Sequence, residues 1–246
     1  MNLIEELTTN PGITDALPEA IAETLLMVSV SGLFTLLIGL PLGIFLYTSA
    51  PGGLRPMRIT NHIVSDVIVN ITRSIPFAIL MISLIPLARV ITGSSIGPLA
   101  ACVSLTIGTV PFFARLVETA LRDVSSGKID AAFVLGSTRM QIVSKVLVPE
   151  ALPGLVAALT TTLVTLVGYS AMAGLTGGGG LGQLAYNYGF QRFDTPVMVL
   201  TIVLMVILVQ AIQWIGDGIS RRVDHRSAGG AGRKARRHEP KAAVGL

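Results

Sequence analysis

From Thr24 to Tyr47 the chain runs without a single charged side chain. About 20 apolar residues suffice to cross the hydrocarbon core of a bilayer. In that core every backbone N–H and C=O must find its partner inside the protein, which a helix achieves within one segment. Four further stretches have comparable length, at residues 63–87, 96–121, 154–175 and 195–219. The second is the weakest, because Asp66 and Arg73 interrupt it. Pro41, Pro76, Pro86 and Pro111 lie inside these stretches, where neighbouring helices can re-satisfy the freed backbone groups. Composition agrees: charged residues are 13% of the chain and mean hydropathy is +0.72, against about 25% charged in a soluble domain. The expected fold is an all-α membrane protein of five transmembrane helices. Cys102, the one cysteine, lies in an apolar stretch and reads as a packing residue.

Lysines and arginines set the orientation, since loops rich in them stay in the cytoplasm. No lysine or arginine precedes the first stretch, so the start of the sequence lacks the basic region of a signal peptide and the first stretch is expected to persist as a span. Fifteen basic residues fall on the side holding Arg55, Arg115, Lys128 and the tail, against two, Arg89 and Arg192, on the other, with Arg73 unassigned. The expected topology places the N-terminus outside and the C-terminus in the cytoplasm of a cell-membrane protein. Residues 1–222 form the expected transmembrane domain. The Gly-, Ala- and Arg-rich tail, residues 223–246, is expected to be disordered. It reads as an anchor attracted to anionic lipid rather than a nucleic-acid binder.

Between the third and fourth stretches lies a polar, small-residue insert, IDAAFVLGSTRMQIVSKVLVP at 129–149. Ser125, Ser126 and Gly127 signal a helix start, and Ile129, Ala132 and Phe133 recur at helical spacing. Gly136 is expected to end that helix in the left-handed conformation. Thr138 then begins a second helix, with Gln141 three residues on as its capping-box partner. Ile142, Val143 and Val146 form its apolar face, and Pro149 is expected to stop it. The product is a two-helix cytoplasmic segment at about 127–149. Ala131, Ala132 and Gly136 leave little bulk against an approaching protein, with Asp130, Arg139 and Lys145 as polar contacts around them. On residues alone, an amphipathic loop resting on lipid headgroups fits as well.

The spacing resembles a known signature. Permease subunits of bacterial ABC importers carry a cytoplasmic Glu-Ala-Ala, three residues, Gly, nine residues, then Ile-x-Leu-Pro. Here Asp130, Ala131 and Ala132 precede Gly136 by the same interval, and Val146-Leu147-Val148-Pro149 follows after nine residues. Asp replaces Glu, and valines replace Ile and Leu. The stretches RSIPF (73–77), LPEALPGL (148–155), LVGYSAMAG (166–174) and GGGGLGQLAYNYGF (177–190) are similar to the methionine-uptake branch of that family. The resemblance covers roughly residues 20–222. It implies a homodimeric permease that forms a translocation path for D- or L-methionine. It also implies partner subunits that bind ATP and Mg, and an external substrate-binding lipoprotein. Asp130, Ala131, Ala132, Gly136, Arg139, Val146 and Pro149 would then contact the ATPase. Another amino acid or small zwitterion as cargo stays open, as does a secondary transporter needing no ATPase.

Other candidates are weaker. The Gly177–Gly180 run is followed by Leu-Gly-Gln rather than Gly-Lys-Ser, so no phosphate-cradling loop is present and no cofactor is expected on this chain. That run reads as a flexible external loop, or as a point where another chain approaches closely. His62, His225 and His238 lack metal-site spacing, and no nucleophile–base pair stands out. Arg73 reads as a snorkelling anchor, or otherwise as a functional intramembrane charge. Small and hydroxyl residues from Thr160 to Met172 suit tight helix packing or a path for a zwitterion. The resemblance tilts Tyr169, Ser170 and Met172 towards the path.

Overall fold

A computed structural model describes residues 10–224, excluding the side chains of 66–68. Regular structure among the described residues is helical throughout. Four helices are long and apolar enough to cross a membrane: α1, Gly12–Ser49; α5, Pro98–Arg122; α7, Arg139–Gly174; and α9, Thr195–Val223. Between α1 and α5 lie α2, Arg58–Ser74, and α3, Phe77–Ser83, which meet at a bend of 100°, followed by α4, Ile85–Thr92. The second apolar stretch is therefore a broken element and not the straight helix its hydropathy suggests. Ile75 is extended (ψ 126°) ahead of Pro76, because the proline ring excludes the helical region for the residue before it.

α1 and α5 form the most extensive contact of the fold. Thr35 and Thr109 share a hydroxyl hydrogen bond of 2.7 Å. Gly39 lies against Phe113, and Gly43 against Ala114 and Val117. A Cβ at Gly43 would stand 2.6 Å from the Ala114 carbonyl oxygen and from Val117, so only glycine admits this approach, the small-residue packing typical of membrane helices. The paired positions 35–109, 39–113 and 43–117 rise together along both helices, so α1 and α5 run parallel. α7 and α9 run antiparallel, with Gly216 against Thr160 and the Ser220 hydroxyl donating to the Pro153 carbonyl.

The glycine run has a structural task in place of flexibility. Gly177, Gly179 and Gly180 all take positive φ (85°, 84° and 77°), which glycine alone adopts without strain. They turn the chain into a short helix α8, residues 180–190, whose first turn is buried. Its leading amides are capped from α1: the Gly180 N–H donates to the Glu23 carboxylate at 2.6 Å and the Leu181 N–H to the Thr24 hydroxyl at 2.8 Å.

The polar insert contains α6, Ser126–Val134, and the first turns of α7. Pro149 does not stop the second helix of this insert. The helix continues from Arg139 to Gly174, widening by a residue per turn over Val143–Leu147 before Pro149 enters the next segment's first turn. The widened turn just before it makes room for the proline ring and the missing donor.

Candidate coupling segment and translocation surface

The turn between α6 and α7 is built from local hydrogen bonds. The Ser137 N–H donates to the Ala132 carbonyl and the Gly136 N–H to the Phe133 carbonyl, at 3.1 and 2.9 Å. This is a Schellman closure with Gly136 at φ 77°. Two residues on, the Thr138 side chain and the Gln141 backbone and side chain complete the expected capping box. The chain thus reverses on local backbone and capping hydrogen bonds.

The inner face of this segment belongs to the core. Ile129, Ala132, Ile142 and Leu147 are buried in one cluster with Phe113, Val117 and Leu121 of α5 and Ala151, Leu155 and Ala158 of α7. Lys128 of α6 forms an ion pair with Glu150 of α7. The outer face is different. Asp130, Ala131, Gly136 and Arg139 are exposed, Val146 is half-buried against the cluster, and Pro149 is exposed on α7. Ala132 faces inward and lies apart from that surface. Sequence reasoning missed the most conspicuous part of the tip: Val134, Leu135 and Met140 are 88%, 84% and 75% exposed. Three large apolar side chains around a tight polar turn have no reason to face water unless something covers them. The signal available was their position directly flanking Gly136.

A second missed feature lies on α5. Glu118 is 3% exposed, and its carboxylate accepts from Arg115 and Arg122, each at 2.6 Å. Arg115 also donates to the Ser65 hydroxyl and the Asn70 side-chain oxygen of α2, at 3.1 and 2.8 Å. A buried carboxylate with two guanidinium partners is thereby held at the end of α5 nearest the insert, and it clasps the bent arm to α5. An Arg-x-x-Glu-x-x-x-Arg spacing on one helix face hinted at the pairing, but only the fold supplies Ser65 and Asn70.

The three path candidates sit differently. Tyr169 stacks on Phe77, ring centroids 4.0 Å apart and planes within 1°, so it touches the first residue beyond the bend. Met172 is exposed, one turn further along that face. Ser170 is 1% exposed and donates to the Val167 carbonyl, away from the surface shared by Tyr169 and Met172. Arg73 is exposed on the last turn of the arm. Among the described residues no group of three His, Cys, Asp or Glu side chains is placed to hold a metal.

The family described as "binding-protein-dependent transport system inner membrane component" matches residues 39–225. The chain belongs to that family. The permease is 50% identical over 213 residues to a probable D-methionine transport system permease protein of Vibrio cholerae, covering 87% of this chain and 94% of that one. It is 57% identical over 152 residues to the D-methionine transport system permease protein of Escherichia coli, covering 62% and 70%. A chain from inward-facing conformations of the MetNI methionine ABC transporter superposes with a TM-score of 0.85 at 51% identity, covering 88% of the permease and all of that chain. An amino acid ABC transporter shares the fold alone, at TM-score 0.68 and 17% identity. Family membership sets aside the secondary-transporter reading: this is a multi-pass inner-membrane transport subunit, and it is not itself an enzyme.

Proposed function

We propose that the permease is the membrane subunit of an ATP-driven methionine importer, working as a homodimer with two ATP-binding subunits and an external substrate-binding lipoprotein. The cargo and the partners rest on the relatives at 50–57% identity and on the solved methionine transporter. The observation that carries the mechanism is the exposed apolar tip of Val134, Leu135 and Met140 around Gly136. The tip would seat in a groove of the ATPase, with Asp130 and Arg139 making polar contacts beside it. Its inner face shares one core with α5 and α7, so a displacement imposed at the tip moves both helices. Arg115 and Glu118 would pass that movement to the bent arm, and Phe77 would carry it to Tyr169 and Met172 on the path.

The parallel run of α1 and α5 supports five crossings. Two parallel helices in sequence require the connection, residues 50–97, to return across the membrane, and only the bent pair can do so. With the basic excess on the insert's side, the insert and C-terminus are cytoplasmic and the N-terminus is outside. Residues 1–222 act as the permease domain, and the tail, residues 223–246, acts as a basic anchor at the anionic inner leaflet; from His225 onward the tail lies outside the described residues. The deciding experiment is uptake into proteoliposomes holding the permease, its ATPase and its binding protein. Methionine should be accumulated only with ATP, ahead of other amino acids. Accumulation without ATPase subunits would refute the coupling, and preference for another amino acid would refute the cargo.

A further inference from the structure

One face of α9 repeats at intervals of four and three residues: Val199, Val203, Val206, Gln210, Gln213, Asp217. The half towards α8 is apolar, and the half towards the insert changes to two amides and a carboxylate. In that lower half a groove of about 470 Å³ opens between α9 and α7, lined by Gln210, Gln213, Trp214 and Asp217 opposite Thr160 and Thr161. Thr160 precedes Gly174, the end of α7, by fourteen residues, which is about 21 Å of helix. The groove therefore begins within the hydrocarbon thickness and opens at the end that carries the insert. Gly216 against Thr160 closes its floor.

Such a surface does not suit lipid. Amide side chains at the depth of Gln210 and Gln213 are costly against hydrocarbon and face a protein interior or water, and Asp217 stands at the mouth of the groove. Nor are these groups used up within the fold. Among the described residues no side chain pairs with the Asp217 carboxylate; Arg221 reaches only the Asp217 backbone carbonyl, at 3.2 Å. The Thr160 and Thr161 hydroxyls donate to Val156 and Ala157 carbonyls, leaving their lone pairs to the groove. Trp214 is 72% exposed, offering an indole face that attracts cations and covers apolar groups.

We propose that this groove is a binding site for the transported amino acid on the inward half of its path. The Asp217 carboxylate would take the ammonium group, the Gln210 and Gln213 amides would donate to the carboxylate group, and Trp214 would lie along the side chain. The volume is in the range of small-molecule sites. The site rests on the amino-acid cargo proposed above, and it goes further by naming the groups that hold it.

The test uses the intact transporter, permease with ATPase subunits, in inside-out vesicles. The background is Cys102→Ala, with Thr161→Cys, which lines the groove, as the target of a neutral methanethiosulfonate. Saturating methionine should slow labelling roughly tenfold, while its desamino analogue, 4-(methylthio)butanoate, should not protect. Asp217→Asn in the same background should raise the methionine concentration needed for half-maximal protection roughly tenfold, the loss expected of one charged hydrogen bond, without slowing labelling itself. Labelling that methionine leaves unchanged would overturn the site and make the groove a plain aqueous vestibule. Two copies cross-linked through position 161 would make it the seam between protomers, and a thiol inert to both treatments would make it lipid-facing; either result also overturns the site. The cargo is checked separately by methionine uptake in the Cys102→Ala parent. Uptake without protection refutes the groove alone. If the parent carries a different amino acid, the same protection assay with that amino acid decides the groove.

Discussion

Replacing Gly136 separates backbone strain from bulk, because the site offers no steric obstacle. A Cβ built there meets nothing within 4 Å, so within this chain the only cost is the positive φ of 77°. For alanine the left-handed region costs about 1–2 kcal/mol; a β-branched valine costs somewhat more, about 2–3 kcal/mol; asparagine, which tolerates that region, costs least. Losses of this size leave the spans inserted, since none of the apolar stretches is altered. They are enough to open the Schellman closure between Ala132 and Ser137, and so to part Val134 and Leu135 from Met140. The expected order of ATPase retained on co-purification is glycine, asparagine, alanine, valine, with uptake following the same order. Valine should lose both while permease abundance in the membrane is unchanged. If Gly136→Asn loses association as fully as Gly136→Val, bulk at the interface matters and the turn geometry does not. If Gly136→Val keeps full association and transport, the tip is not a docking surface.

Glu118→Gln should destabilise the detergent-solubilised permease by about 3 kcal/mol, the range for breaking a buried ion pair. Arg122→Gln, whose side chain is 60% exposed, should cost less than about 1 kcal/mol; equal losses by thermal unfolding would contradict the buried-carboxylate account. Gly43→Val should force α1 from α5 against a backbone carbonyl that cannot rotate away, lowering stability by about 1–3 kcal/mol, and unchanged thermal unfolding would refute the close approach. Single cysteines at Gly52 and Ser94, on a Cys102→Ala background, should label from opposite membrane faces, and labelling from one face would eliminate five crossings.

The features legible in the sequence were those set by local rules. Gly136 and the Thr138–Gln141 box took their expected conformations because caps are satisfied within a few residues. Long apolar stretches marked α1, α5, α7 and α9 because length and hydropathy need no knowledge of neighbours. Pro76 was read as a proline that a membrane helix tolerates, and the bend at it was missed; its angle depends on how α2 is clasped by Arg115, a contact between residues 45 and 50 positions apart. Pro149 misled because a widened turn upstream let the helix run through it. The Gly177–Gly180 run looked slack, since Glu23, which caps it, stands 157 positions away. The resemblance pointed to Ser170 together with Tyr169 and Met172, yet adjacent helix positions point about 100° apart and Ser170 is buried.

The dependence of α8 on α1 carries a consequence for the order in which the chain is assembled. The amides of Gly180 and Leu181 find their acceptors only on Glu23 and Thr24, and Gly182 enters a gap against Ala171 too narrow for any side chain. α1 must therefore wait in the bilayer with an unanswered carboxylate until 157 further residues have been synthesised. Anything that displaced α1 during that interval would leave a polar helix start stranded at the membrane, the sort of defect that insertion machinery and quality-control proteases recognise.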